Sequence, residues 1–395
     1  MSQAVTHRSG VISSELSAAP LPPALKQVYA NRGVDRLDDI TLPLSQLAPP
    51  SALKGAQAAA EMLADAIEFH ASVVIVGDFD ADGATSCALA VSLLKQMGLE
   101  EVTYLVPNRF EFGYGLTPEI VGVAAQYQPD VLVTVDNGIA SIDGVMAAQM
   151  LGMSVIITDH HLPGDTLPEA DIIVNPNQPG CPFPSKALAG VGVMFYVLTA
   201  LRAELRGRGW FESMGIDIPN LADALDLVAL GTVADVVPLD KNNRTLVAAG
   251  LARMRSGRAR PGIEALFEVA GRDISQVSST DLGFVAGPRL NAAGRLDDMS
   301  VGIECLLAES SASARILAKQ LNDFNKERKE IERTMQTDAM TLLEKGDLSV
   351  GNEDFALSLF REDWHQGVVG ILASRIRERF HRPTIVFAQS GDGEL

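Results

Sequence analysis

Short runs of β-branched and apolar residues alternate along the chain with longer amphipathic segments. An apolar run of about four to eight residues bounded by turn residues is typical of a buried strand, and apolar residues three or four apart are typical of a helix. This pattern predicts strands at 73–77, 102–106, 130–135, 154–158 and 171–174, and helices at 54–69, 84–97, 117–127, 141–151 and 187–206. Strands separated by helices of this length form βαβ units, so the sequence predicts an α/β fold with a mostly parallel sheet.

The rest of the chain divides into segments with different patterns. Residues 1–50 are interrupted by prolines and are interpreted as an N-terminal extension, and residues 51–310 as the main domain. One long helix is predicted over 311–345, with a narrow apolar stripe that is typical of a helix connecting two domains. Residues 346–395 contain two strands and one helix, which indicates the start of a second, smaller α/β domain. Because these strands are too few for a complete sheet, we expect the chain to be a fragment of a longer protein.

Acidic residues and histidines directly follow three of the predicted strands. These residues are Asp78, Asp80 and Asp82 after the first strand, Asp136 after the third, and Asp159, His160 and His161 after the fourth. Because the carboxyl ends of parallel strands lie at one edge of a sheet, we expect these side chains to converge. Carboxylates together with imidazole suit a pair of Mn²⁺ or Mg²⁺ ions, and paired ions of this kind hydrolyse phosphoesters.

Each cluster also has a simpler interpretation when it is taken alone. The first could be an acidic turn that caps the following helix, and Asp136-Asn137-Gly138 is a common turn sequence. The third could be a polar strand end before a Pro-Gly turn. Asp235, which follows a predicted helix near 220–232, carries no signal of its own. The metal hypothesis therefore rests on the coincidence of these clusters.

The composition limits the possible functions. A net charge of −18 argues against a uniformly basic nucleic-acid binder, although the stretch 241–263 carries six cations and no acid. That stretch is either a solvated helix face or a local phosphate-contacting patch, and we favour the patch. The three cysteines are widely spaced, which argues against a disulfide framework and fits the cytoplasm. No apolar run is long enough to span a bilayer, so we expect no membrane partner.

Eight motifs resemble those of a known family. DFDADG (78–83), TVDNG (134–138), TDHH (158–161) and VADVVPL (233–239) are similar, in that order, to the metal motifs of the DHH phosphoesterases. PNRFEFGYG (107–115), LAGVGVMFY (188–196), GPRLNAAGRL (287–296) and WHQGVVGILASRI (364–376) resemble the single-strand-specific exonucleases of that family. The resemblance implies a 5′→3′ exonuclease that releases mononucleotides from single-stranded DNA in recombination and repair, with Mg²⁺ or Mn²⁺ as cofactor.

The resemblance also implies roles for individual residues. The implied metal ligands are Asp80, Asp82, Asp136, His160 and Asp235, with Asp136 as the bridge and Asp78 as a further ligand or hydrogen-bond acceptor. Asp159 would orient a histidine, and His161 would stabilise charge in the transition state. Asn291 and Arg295, in a predicted glycine-bracketed loop, and Arg109 would contact phosphate. His365 would begin a DHHA1-like domain that closes over the substrate; Arg109 and His365 could equally be ordinary surface residues. Val76 stands where many relatives carry a histidine ligand.

Family members act on single-stranded DNA and are expected to work with a single-strand-binding protein and a helicase. They continue with a glycine- and histidine-rich motif and an oligonucleotide-binding barrel, so we expect this fragment to bind metal but to degrade DNA poorly. Two other functions stay open: a DHH phosphodiesterase that acts on short oligonucleotides or cyclic dinucleotides, and a non-enzymatic replication scaffold. Comparing the cleavage of a dinucleotide with that of a long strand distinguishes the first alternative from a single-strand exonuclease.

Overall fold

A twisted parallel sheet organises the main part of the chain. The computed structural model describes residues 8–108, 112–345 and 355–389. The sheet has five strands in the order β2-β1-β3-β4-β5, and every neighbouring pair is parallel. The strands are β1 (Val73–Gly77), β2 (Val102–Leu105), β3 (Val131–Val135), β4 (Ser154–Thr158) and β5 (Ile172–Val174). The predicted α/β fold and strand order along the chain are confirmed, with strand ends within two residues of the prediction.

Alternate residues of the central strands face two separate hydrophobic clusters. Val73 and Ile75 pack into a large cluster on one face, whereas Val74 and Val76 pack into a smaller cluster on the other. A sheet covered on both faces explains why these strands are continuous apolar runs without polar positions. Register then aligns the strand ends, because Gly77 pairs with Val135 and Val135 pairs with Thr158. The residues that follow these strands leave the sheet at the same edge.

Sixteen α-helices surround and extend the sheet in the described part of the chain. They are α1 (Ser14–Ala18), α2 (Pro23–Ala30), α3 (Ala56–Glu68), α4 (Ala81–Gln96), α5 (Pro118–Ala124), α6 (Ile142–Met150), α7 (Gly190–Gly207), α8 (Trp210–Met214), α9 (Leu225–Ala234), α10 (Lys241–Arg255), α11 (Pro261–Val269), α12 (Ser279–Asp281), α13 (Gly287–Leu296), α14 (Ser300–Leu307), α15 (Ser311–Lys345) and α16 (Val369–Phe380). A one-turn π-helix, Leu282–Ala286, lies between α12 and α13. No helix in the described ranges is both long and apolar enough to cross a membrane.

Two local predictions are wrong. The helix expected to begin at Ala84 begins at Ala81, because the Asp80 side chain accepts hydrogen bonds from the backbone N–H groups of Asp82 and Gly83 and so caps the helix three residues earlier. Asn291 and Arg295 lie on a helix, α13, and not in a loop. The glycines that suggested a loop serve close packing instead, since a Cβ on Gly294 would overlap the carbonyl oxygen of Phe79.

The cations between 241 and 263 have structural partners. Arg253 pairs with Asp223 at 2.6 Å, and Arg260 pairs with the fully buried Asp226 at 3.3 Å. Lys241 lies 3.8 Å from Asp39 in the N-terminal segment. Three of the six cations in this stretch are thus paired within the fold, which favours a structural role for them. A phosphate-contacting role for the other three stays a prediction.

The helix α15 joins two hydrophobic clusters. Its N-terminal half contributes Ala314, Ala318 and Leu321 to the large cluster, and its C-terminal half packs Met335 and Leu343 against a third cluster. The third cluster also holds α16 and the parallel strands β6 (Leu357–Phe360) and β7 (Thr384–Phe387). The predicted helix over 311–345 is confirmed, while the domain boundaries at 50, 310 and 345 stay predictions.

Removing buried volume from the central strand should destabilise the protein. Leu132 is fully buried in the smaller cluster, so Leu132→Ala is expected to lower the free energy of unfolding by about 3 kcal/mol. The measurement is urea unfolding followed by circular dichroism. Leu151→Ala, at an exposed leucine after α6, is the matched control and should change stability by less than about 0.5 kcal/mol. Equal losses in the two variants would contradict the placement of β3.

Candidate metal centre

The polar residues after β1, β3 and β4 meet Asp235 at one point on the sheet edge. His160 Nε2 lies 3.1 Å from Asp136 Oδ1, 3.4 Å from Asp235 Oδ2 and 4.0 Å from Asp82 Oδ2. Three sets of potential ligand atoms lie within 4.8 Å of one another: Asp136, His160 and His161; Asp82, His160 and Asp235; and Asp78, Asp80 and Asp136. The predicted convergence is confirmed, whereas the role of each residue as a ligand stays a prediction.

Asp136 lies at the centre of this arrangement. It belongs to two of the three sets and is almost fully buried. Its φ of 65° is in the left-handed region, which a non-glycine residue rarely adopts. The turn is held by Asn137, whose side-chain N–H groups donate to the carbonyls of Val76 and Val135. Backbone strain of this kind concentrates at functional sites and persists only where the surrounding structure enforces it.

Helix α7 closes over the centre through a glycine that sequence reasoning missed. Asp82 accepts hydrogen bonds from the backbone N–H groups of Gly190 and Val191 at the start of this helix, at 2.6 and 3.0 Å. A Cβ on Gly190 would lie 2.5 Å from Asp136 Oδ1, so no larger residue fits here. The helix start carries partial positive charge that favours a carboxylate. Glycines are frequent in the chain, and only the close contact between Gly190 and Asp136 in the folded structure distinguishes this one.

Burial and mutual repulsion keep the carboxylates partly protonated in the absence of a cation. Burial, followed by the charges of Asp235 and Asp80, raises the pKa of Asp82 well above its ordinary value. Burial and the charge of Asp82 raise the pKa of Asp136 in the same way. Burial, followed by the charge of Asp80, raises the pKa of Asp235 to about 7, although His161 opposes this shift. Three carboxylates with raised pKa values around one point indicate a site that lacks positive charge.

The donor set fits divalent cations. Asp136 Oδ1 and His160 Nε2 are buried atoms that make no hydrogen bond within the described residues. Burial and the charge of His161 lower the pKa of His160 to about 4, so its imidazole is neutral and offers a lone pair. Buried polar atoms are normally satisfied, and a cation would satisfy both atoms at once. Several carboxylate oxygens with one or two imidazoles are ligands that Mn²⁺ accepts, and the oxygens also suit Mg²⁺.

Asp159 and His161 form an ion pair, and His161 also belongs to one of the three ligand sets. His161 Nδ1 donates to Asp159 Oδ1 at 2.7 Å, and this hydrogen bond raises the pKa of His161 to about 9. Burial alone would raise the pKa of Asp159, but the hydrogen bond and charge of His161 and the N–H groups of Ile139 and His161 lower it overall. His161 Nε2 lies 3.4 Å from the hydroxyl of Tyr114. Asp159 therefore orients a charged imidazole that remains half exposed.

Two asparagines and a tyrosine were missed by the sequence analysis. Asn175 and Asn177 donate their side-chain N–H groups to the backbone carbonyls of His161 and His160. Asn175 follows β5 directly and Asn177 comes two residues later, so attention to polar residues after each strand would have found both. Tyr114 lies within the quoted motif PNRFEFGYG, and its ring makes an edge contact with Phe79 in the turn after β1. The two asparagines therefore hold the backbone of the histidine pair, and Tyr114 contacts the ring of His161.

The predicted phosphate contacts lie next to the centre and not within it. Asn291 Oδ1 accepts a hydrogen bond of 2.7 Å from the N–H of Ala81, between the ligand candidates Asp80 and Asp82. Arg295 donates to the carbonyl of Gly367, and the N–H of Gly367 donates to His365 Nδ1. Arg109 lies outside the described residues. Asn291, Arg295 and His365 thus connect the centre to the segment that begins α16.

Comparison with known proteins gives consistent matches. Residues 72–232 match the family model described as DHH family, N-terminal domain. The chain is similar to the single-stranded-DNA-specific exonuclease RecJ of Escherichia coli, with 55% identity over 95% of the chain and 65% of that protein's length. It is 48% identical to RecJ of Haemophilus influenzae over 100% of the chain and 68% of that protein. It also resembles the solved structure of RecJ from Thermus thermophilus in complex with Mn²⁺, with 32% identity, a TM-score of 0.77, and coverage of 95% of the chain and 51% of that structure. The chain spans between 44% and 68% of the length of the curated relatives it matches.

The ion pair between His161 and Asp159 should make stability depend on pH in a defined direction. Because the fold raises the pKa of His161 from 6.5 to about 9, its contribution is fully present below about pH 6.5 and is lost as the pH rises through about 9. In metal-free protein, the destabilisation caused by His161→Gln should therefore be largest at about pH 5 to 6, where Asp159 and His161 are both charged, and should vanish in alkali. Urea unfolding across this range measures it, with His381→Gln, at an exposed histidine after α16, as the control. A difference that grows with pH would contradict the assigned ion pair.

Proposed function

Because the chain belongs to the RecJ family of DHH proteins, we propose that it hydrolyses single-stranded DNA from the 5′ end in a metal-dependent reaction. The proposed product is a mononucleotide, and the proposed setting is DNA recombination and repair. The observation that carries the proposal is the pair of buried atoms Asp136 Oδ1 and His160 Nε2, which make no hydrogen bond within the described residues and lie 3.1 Å apart among four further carboxylates. Buried carboxylate oxygens and a neutral imidazole nitrogen in this arrangement are ligands that suit a divalent cation.

We assign the metal-holding role to the side chains that line the centre. These are Asp78, Asp80, Asp82, Asp136, His160 and Asp235. Bound Mn²⁺ or Mg²⁺ ions would supply positive charge that neutralises a phosphodiester and lowers the pKa of water. Asp136 and His160 each belong to two ligand sets, and Asp136 would be the residue shared by two ions, because a carboxylate offers two oxygens whereas the imidazole offers one free nitrogen. The N–H groups of Gly190 and Val191 hold Asp82 in place from the opposite side.

The remaining chemistry is assigned to the ion pair beside the centre. His161, kept protonated by Asp159, is half exposed and lies in a ligand set with Asp136 and His160. A cation in this position stabilises negative charge that develops on a phosphoryl oxygen. Asn291 and Arg295 are proposed to hold the substrate phosphates, with Arg109 and His365 as further contacts. The roles of all four residues rest on their place in the motifs and on the position of α13 against the turn after β1.

The proposed setting is the cytoplasm. The three cysteines are buried and free, which fits a reducing compartment. A single-strand-binding protein and a helicase are proposed as partners because the family is expected to work with both. The DHHA1-like assignment of residues 346–395 and the division at residues 50, 310 and 345 are proposed on the same basis.

The decisive experiment is digestion of end-labelled single strands. With Mn²⁺ and enzyme in excess over the strand, wild-type protein is expected to release labelled mononucleotide from a 5′-labelled strand before it does so from a 3′-labelled strand, even if hydrolysis is slow. Asp136→Ala should reduce this hydrolysis by at least about a hundredfold, because it removes the shared ligand and the negative charge that holds the cations. Asp143→Ala, at an exposed aspartate in α6, is the matched control and should behave as wild type. Early release from the 3′ label, or full activity of Asp136→Ala, would contradict the proposal.

Metal binding should release protons. The raised pKa values of Asp82, Asp136 and Asp235, the last at about 7, mean that a cation competes with protons for these oxygens. The affinity for Mn²⁺ is therefore expected to rise as the pH increases from about 6 to about 8, because the deprotonated carboxylates bind the cation. Titration calorimetry in buffers of different ionisation enthalpy measures both the affinity and the number of protons released. Proton uptake, or affinity that is independent of pH, would rule out these carboxylates as ligands.

A further inference from the structure

A cavity of about 350 Å³ lies between the N-terminal segment, the loop before α7 and the start of α10. We call it the α10 cavity, and the lining residues that matter for binding are Ala48, Ser185, Asp240, Lys241 and Asn242. Its volume is in the range of sites that hold small molecules. None of these residues belongs to the ligand sets of the candidate metal centre, so the cavity is a separate site.

A buried hydroxyl without a partner lines the α10 cavity. Ser185 is 2% exposed, and its Oγ makes no hydrogen bond within the described residues. Buried polar side chains are normally hydrogen-bonded, so each exception in a folded protein requires an explanation. Because Ser185 lines the cavity, a molecule bound there would supply the missing partner.

An amide nitrogen without a partner lines the same cavity. Asn242 Oδ1 accepts hydrogen bonds from the Ala48 N–H at 3.2 Å and from the Tyr196 hydroxyl at 2.9 Å. A backbone N–H can only donate, so this contact fixes which end of the amide faces Ala48. Asn242 Nδ2 is buried and has no partner in the described part of the chain. An amide nitrogen is a donor, so its missing partner must be an acceptor atom.

The start of α10 adds further donors. The Asp240 side chain caps the helix by accepting from the N–H of Asn243 at 2.9 Å, whereas the N–H groups of Lys241 and Asn242 make no hydrogen bond within the described ranges. The helix has 15 residues, so its start carries partial positive charge. The Lys241 ammonium is 41% exposed and lies 3.8 Å from Asp39, a long contact that leaves its other N–H groups available. Free N–H groups at a helix start bind oxyanions.

The donors in the lining favour an anion over water or a cation. The cavity is far larger than one water molecule needs, so a single ordered water does not fill it. Asp240 is the one acidic side chain that lines it, and Asp240 Oδ1 already accepts from Asn243. Donors therefore outnumber acceptors, and an oxyanion would satisfy both buried atoms that lack partners.

We propose that the α10 cavity binds the oxyanion group of a small molecule, a phosphate monoester or a carboxylate, through Ser185 Oγ, Asn242 Nδ2 and the start of α10. The proposal goes beyond the function proposed above and does not depend on it, because binding is measured without metal and without DNA. The cavity is nevertheless close to the centre along the chain, since Ser185 precedes by five residues the helix start at Gly190 that holds Asp82.

Asparagine side-chain signals in a nuclear magnetic resonance titration test the binding site directly. Metal-free protein labelled with ¹⁵N-asparagine is titrated with inorganic phosphate and, separately, with acetate, and sodium chloride at equal ionic strength is the control. The Asn242 signal is identified by its absence from Asn242→Asp, which keeps the acceptor for Ala48 and Tyr196. We expect this signal to shift in a saturable manner with at least one probe, and the tighter probe identifies the class of oxyanion. A signal that neither probe shifts would overturn the proposal.

The hydroxyl contact is tested by Ser185→Ala. This change should weaken binding of the tighter probe by about tenfold, because it removes a hydrogen bond to a charged group. In ligand-free protein it should not lower the midpoint of urea unfolding, because the hydroxyl is buried without a partner. Ser17→Ala, at an exposed serine in α1, is the control and should bind as wild type. Unchanged affinity or a lower unfolding midpoint for Ser185→Ala would contradict the contact.

The sign of the ligand charge is tested by Asp240→Asn. Asparagine caps a helix as well as aspartate does, so this change removes a negative charge from the lining and keeps the start of α10. Binding of the probe should become stronger by about fivefold, because a like charge is removed. Asp273→Asn, at an aspartate that caps a short 3₁₀ helix elsewhere in the chain, is the matched control and should bind as wild type. Weaker binding by Asp240→Asn would show that the site holds a positive group and would overturn the proposal.

Discussion

The structure depends on a group of like charges that the fold brings together away from water. Asp82 and Asp136 are almost fully buried, and Asp235 approaches the same imidazole nitrogen as both of them. Burial and repulsion favour the neutral form of each carboxylate, as their raised pKa values indicate. An uncompensated cluster of this kind is destabilising, so the neighbouring backbone must hold each side chain in place. Protons or cations then decide the charge of the centre.

Backbone N–H groups hold several carboxylates of the centre, whereas two atoms at its middle make no hydrogen bond within the described residues. Asp80 is fixed by the first N–H groups of α4, and Asp82 by the first N–H groups of α7. Asp159 is fixed by the N–H of Ile139 and by His161. In contrast, Asp136 Oδ1 and His160 Nε2 point toward each other without a hydrogen bond. Hydrogen bonds from the helix starts thus offset part of the desolvation cost of Asp80 and Asp82, while Asp136 Oδ1 and His160 Nε2 remain available to a cation.

The sequence was informative where local pattern decides the outcome. Continuous apolar runs predicted the parallel sheet, and the parallel sheet predicted that Asp78, Asp136 and Asp159 would leave it at one edge, because register is shared between neighbouring strands. The sequence pattern gave the wrong local structure where a contact with a distant segment determines it. The glycines of α13 were interpreted as a loop, although Gly294 is needed because the carbonyl of Phe79 lies against it. Gly190 could not be identified for the same reason, since its constraint is an oxygen of Asp136 that lies 54 positions earlier.

Helix α13 carries the most consequential of these long-range contacts, because it is held on two sides at once. On one side Asn291 accepts a hydrogen bond from Ala81, and Gly294 lies against Phe79, so the helix follows the turn after β1. On the other side Gly367 packs against the backbone of Arg295, and its carbonyl accepts a hydrogen bond from the guanidinium of Arg295. The helix is therefore also held against the segment before α16. A Cβ at either glycine would overlap a carbonyl oxygen, which leaves little freedom for either surface to shift alone. The two parts of the chain that meet at α13 are therefore positioned against each other by this one helix, which also contacts the turn that carries Asp80 and Asp82.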